Sequence, residues 1–125
     1  MADLTGFGPI VRRPYRSHYV DRSVPNAAAT AVDAFDAEGM TLVEVQVGAN
    51  APSGTMKLQE ADSGGTWRDI YDDAGNIITI TIAANRIIAI SPLKFPSLRS
   101  VKFVFSANTT GICPVRFIFQ PRSGF

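Results

Sequence analysis

From about residue 28 onward, apolar and polar residues alternate with a period of two, the spacing of strands that bury one face. In residues 40–47 (MTLVEVQV), Val43, Val45 and Val47 fall on one side and Glu44 and Gln46 on the other. Residues 55–60 (TMKLQE) set Met56 and Leu58 against Lys57 and Gln59, and residues 77–82 (IITITI) set Ile78, Ile80 and Ile82 against Thr79 and Thr81. Residues 101–105 (VKFVF) and 115–119 (VRFIF) repeat one scheme, with Val101, Phe103, Phe105, Val115, Phe117 and Phe119 inward and Lys102 and Arg116 outward. Those two strands are expected to supply the aromatic floor of a core. The nearly all-apolar run 86–90 reads as a strand covered on both faces. Residues 27–35 have helical propensity at their alanines, but the alternation of Val32, Asp33 and Phe35 assigns them to a strand.

Turn chemistry separates these segments: Glu38-Gly39, Gly48-Ala49-Asn50, Ser63-Gly64-Gly65, Ala74-Gly75-Asn76, Ala84-Asn85 and residues 108–111. A further single turn is expected over residues 92–98. About eight short strands at this spacing, with almost no helix signal, predict an all-β fold: a single antiparallel β-sandwich, jelly-roll or Greek-key like. Residues 1–26 differ, for they carry Pro9, Pro14 and Pro25 with Arg12, Arg13, Arg16 and Arg22. Proline fixes φ and removes a backbone donor, so this stretch is expected to be an extended N-terminal arm, with the sandwich domain over 27–125. Its apolar residues, Leu4, Phe7, Ile10, Val11, Tyr15 and Tyr19, are too many for a solvated tail. The arm is therefore expected to lie on its own domain or on a partner, with Arg12, Arg13, Tyr15, Arg16 and Tyr19 as the partner-binding candidates.

A chain of 125 residues, 46% apolar and 18% charged, suits one folded domain. The first ten residues show no secretory or transit pattern, and no apolar run approaches a membrane span of about 20 residues. Net charge is only +1, yet it is unevenly spread. Residues 33–73 hold nine acids against two bases, whereas 86–122 hold six bases and no acid. Opposite charges paired across neighbouring strands are the ordinary reading of that split; an acidic patch meeting a neighbour's basic patch is the sharper one.

Catalytic chemistry finds little footing. The single histidine, His18, lies in the arm, which leaves no triad to assemble, and it reads as a surface or arm-packing residue. The single cysteine, Cys113, sits between Ile112 and Pro114 as a buried small hydrophobe. No metal-ligand spacing, phosphate loop or dinucleotide fingerprint is present, so no metal and no cofactor is expected. The acidic loop 69–76 matches no standard calcium loop and is ordinary hairpin chemistry. Asn108-Thr109-Thr110 fits a glycosylation acceptor in form only. Trp67 reads as a half-buried edge residue; its alternative, with Tyr71, is a glycan-stacking platform. Four arm arginines in a nearly neutral chain are a weak nucleic-acid footprint.

The text at Thr66-Trp67-Arg68-Asp69-Ile70, Asp73-Ala74-Gly75-Asn76, residues 78–80, residues 84–90, Pro92, Phe95 and Leu98-Arg99 resembles small β-sandwich virion proteins of tailed bacteriophages, the capsid decoration, cement and tail or head-fibre parts. The likeness covers about residues 60–106. It implies a non-enzymatic structural virion protein made in the host cytoplasm and placed on the capsid surface. Its implied partners are other virion proteins, foremost the major capsid protein, and further copies of itself, with a trimer as the expected oligomer. The rival reading is a carbohydrate-binding or receptor-binding module of the tail, carried by Trp67, Tyr71 and the acidic loop.

Overall fold

Alternating β-branched and aromatic residues favour extended backbone because their side chains pack well on a pleated, half-buried surface. A computed structural model of the chain describes residues 18–31 and 33–121, and it resolves that pattern into nine strands. They are β1 (His18–Val24), β2 (Phe35–Asp36), β3 (Thr41–Val47), β4 (Gly54–Ala61), β5 (Trp67–Asp69), β6 (Thr79–Ile82), β7 (Arg86–Ala89), β8 (Ser100–Phe105) and β9 (Cys113–Gln120). No helix occurs among the described residues.

One sheet has the order β1-β9-β3-β7; the other runs β2-β8-β4, with β5 and β6 sharing the far edge of β4. Every pairing is antiparallel. The pairing is also concentric: β1 with β9, β2 with β8, β3 with β7 and β4 with β6, as if one long hairpin had been rolled up. That is the jelly-roll order, with β5 and the 70–78 hairpin added at its innermost turn.

The core lies between the sheets. Val101, Phe103 and Phe105 of β8 and Val115, Phe117 and Phe119 of β9 are all buried, and the two strands belong to opposite sheets. Phe103 and Phe117 meet across the interior with centroids 4.9 Å apart, and Phe35 packs on Phe117 at 5.3 Å. Each such fully buried side chain is worth roughly 1.5–3 kcal/mol of transfer free energy. Thr109 is the buried polar side chain of the described residues, and its hydroxyl donates to the Pro25 carbonyl at 2.6 Å.

Four local expectations are corrected. Residues 18–24, expected within the arm, form edge strand β1, because no proline falls between Tyr15 and Val24 and Val20, Arg22 and Val24 alternate inward opposite β9. Of the described residues in 27–35, only Phe35 is in a strand; 28–30 instead follow β8 through Phe105 N–H to Ala29 O at 2.7 Å and the Thr30 hydroxyl bonded to Phe103 O. Val43 does not share the face of Val45, because β3 carries a bulge against β9 between Leu42 and Glu44, which puts buried Leu42 on the core face instead. Finally, 86–90 is not covered on both faces: β7 is the open edge of the four-stranded sheet, and Ile87 is 70% exposed.

Candidate functional site

Three surfaces gather the chemistry that the folded chain leaves outside. On the outer face of the four-stranded sheet, antiparallel register sets Tyr19 and Asp21 of β1 beside Ile118 and Arg116 of β9. The Arg116 guanidinium donates to both Asp21 carboxylate oxygens, at 2.7 and 3.0 Å, and lies 4.2 Å from the centre of the Tyr19 ring. The guanidinium holds the Asp21 carboxyl below its ordinary range, chiefly through the hydrogen bond, and Asp21 raises Arg116 in return. A groove of about 570 Å³ runs from this triad past Gln46 and Pro114 to Asn85 and Ile87. Its polar groups are already partnered at one end, while the other end sets exposed Ile87 beside Asn85 and Arg86.

Of the partner-binding candidates, Tyr19 falls on this face, 59% exposed. Arg12, Arg13, Tyr15 and Arg16 lie outside the described residues. Arg22 is not an arm residue at all: it donates to Asp33 O and Ala34 O and covers the Phe35 ring at 5.4 Å, closing the sandwich beside β1. His18 opens β1 and is exposed.

The second surface is the outer face of the five-stranded sheet. Trp67 sits half-buried at the start of edge strand β5, with the Lys102 ammonium 4.9 Å from its ring centre. Next along β5, Asp69 accepts from Gln59 at 2.8 Å and pairs with Lys57 at 2.9 Å, and both contacts pull its carboxyl down. This row of polar partners is internally satisfied, and one face of the indole is taken by Lys102. Tyr71 stands beyond β5, 57% exposed, in an isolated bridge with Ile77 rather than beside Trp67 in the strand. The acidic loop is spent on turn geometry: one Asp72 carboxylate oxygen accepts from Ala74 N–H and Asn76 N–H. Among the described residues, no three His, Cys, Asp or Glu side chains gather as a metal site would need, and no helix could cross a membrane.

No family model and no curated protein matches the chain. Among solved structures it is similar, at 13% identity and a TM-score of 0.36, to a Bacillus chain described by the words "Bacillus endospore appendages form a novel family of disulfide-linked pili", with 85% of this chain and 86% of that one covered. A likeness at that level says nothing of this chain's role.

The third surface was missed by the sequence reading. Where the two sheets part beside β6 and β7, a slot of about 510 Å³ is lined by Ile80, Ile88, Ile90, Leu93 and Lys94. Leu93 is 90% exposed. The one signal in the sequence was the Arg86 that opens the apolar run, since a charge there suits an edge strand better than a central one.

Proposed function

We propose that this protein is a non-enzymatic structural component that works by docking its sandwich against other protein surfaces, in the shell of a tailed-phage particle. One observation carries the reading. The large apolar side chains left outside, Tyr19, Tyr71, Ile77, Ile87, Leu93 and Ile112, stand at strand edges, hairpin tips and loop ends, where a neighbouring protein would cover them. The jelly roll does not choose between shell and sugar-binding roles, since one fold hosts many functions. The likeness to decoration and cement proteins in residues 60–106 makes the major capsid protein the first partner to test.

The decisive experiment is cosedimentation of the purified chain with capsid shells lacking it, alongside a glycan array. Saturable shell binding that Ile87→Asp weakens, with no glycan signal, is the expected result. Glycan binding abolished by Trp67→Ala, with no shell binding, would overturn it in favour of a sugar-reading module.

A further inference from the structure

Among the described residues, the acidic and basic segments of the chain do not neutralise each other. The ion pairs among described residues are Lys57–Asp69 and Arg68–Asp62, both inside the acidic segment, and Arg116–Asp21, which joins β9 to β1. None of these joins residues 33–73 to 86–122. Arg86 and Lys94 on one side, and Asp72 and Asp73 on the other, thus enter no ion pair among the described residues, and all four are exposed.

Each unpaired charge pair stands beside exposed apolar surface. Asp72 and Asp73 lie at the tip of the 70–78 hairpin, whose stem sets Tyr71 opposite Ile77 in an antiparallel bridge, 57% and 38% exposed. The tip is firmly built, with Ile78 N–H to Ile70 O at 2.9 Å, Asp72 N–H to Asn76 O at 2.8 Å and Gly75 N–H to Asp72 O at 3.1 Å. It forms an apolar knob with an acidic crown. Lys94 belongs to the lining of the slot between β6 and β7, with Thr81 and Ser91 beside it, so the slot is a largely apolar cleft with one cation at its border, whereas Arg86 lines the groove that begins at Asp21.

We propose that the slot receives the hairpin tip of a second copy of this chain, Tyr71 and Ile77 entering against Ile88 and Leu93 while Asp73 meets Lys94. This deepens the docking reading above by naming a self-association surface. In one copy the tip is exposed and the slot open, so both are available to another molecule. Complementary charge sets the register and direction of such a contact, and exposed Ile and Leu supply the apolar area. The contact joins two different patches, so it closes into a reciprocal dimer or continues round a ring.

Sedimentation velocity over a concentration series, with charge exchange, tests the idea. The full chain should self-associate, more weakly as salt rises. Lys94→Glu, and separately Asp73→Lys, should each weaken self-association at least about tenfold. An equimolar mixture of the two reversed proteins should associate again. Leu93→Asp, at a side chain too exposed to matter for folding, should weaken association alone. A monomeric parent chain, reversed variants that associate like the parent, or a mixture that stays monomeric would overturn the proposal. Shell binding measured on the same proteins separates the two readings: a monomer that still binds shells sinks self-docking only, and an oligomer that binds none sinks the shell role only.

Discussion

Three aspartates show how single side chains set the acid limit of the fold. Asp21, Asp62 and Asp69 each accept hydrogen bonds from a neighbouring cation or amide, and each carboxyl is held below the ordinary aspartate range. A carboxyl depressed in the folded state stabilises it above the unfolded pKa and loses that contribution as pH falls through the folded value. Urea midpoints should therefore be flat from neutral pH to about 4 and decline below it. Asp69→Asn should lower stability at pH 7 by at most about 1 kcal/mol, since the ion pair is partly exposed, and should make the acid decline shallower. An unchanged acid decline in that variant would remove Asp69 from the account. The sequence set Asp21 in the arm and Asp69 in a hairpin loop and could not name their partners, for Asp21 and Arg116 are brought together only by the pairing of β1 with β9.

Elements were legible wherever one face met the core. The Phe rows of β8 and β9 and the inward Met56 and Leu58 of β4 follow directly from period-two spacing. Three things broke that reading, each for a physical reason. The bulge at Val43 inserts one residue and so inverts the parity of everything before it. The apolar run at β7 has only Arg86, at its first position, to distinguish a two-sided strand from an edge that awaits a partner. Residues 18–24 share a proline-rich neighbourhood yet contain no proline themselves. Turn chemistry left a smaller conflict between β2 and β3: Met40 N–H bonds to Ala37 O at 2.9 Å, and both central residues, Glu38 and Gly39, have positive φ, at 54° and 79°. Gly39 accepts that at no steric cost, whereas Glu38 is strained where asparagine is at ease. Glu38→Asn should stabilise the fold by about 0.5 kcal/mol, read as a higher denaturant midpoint with unchanged slope. An equal or lower midpoint would mean that Glu38 makes a compensating contact.

For the whole molecule, Cys113 is a built-in reporter. Its thiol is fully buried at the start of β9, and burial pushes its pKa up, so it should resist alkylation in native buffer even at alkaline pH. Labelling should appear only across the global denaturation transition and coincide with loss of the sheet spectrum. Labelling well before that transition would show β9 opening on its own. The functional surfaces were less legible than the core, because the acidic hairpin and the basic slot are each assembled from residues whose exposure depends on which strand forms the edge.

The rolled-up pairing has a consequence for synthesis. β9, the last of the described strands to be made, sits inside the four-stranded sheet, with β1 on one side and β3 on the other. While residues 113–120 are still within the ribosome, β1 has no neighbour among the described strands to hold it, and the Phe117 and Phe119 rings are missing from the interior. Translation thus delivers an open half-shell first, and the final strand acts as the zip that closes it.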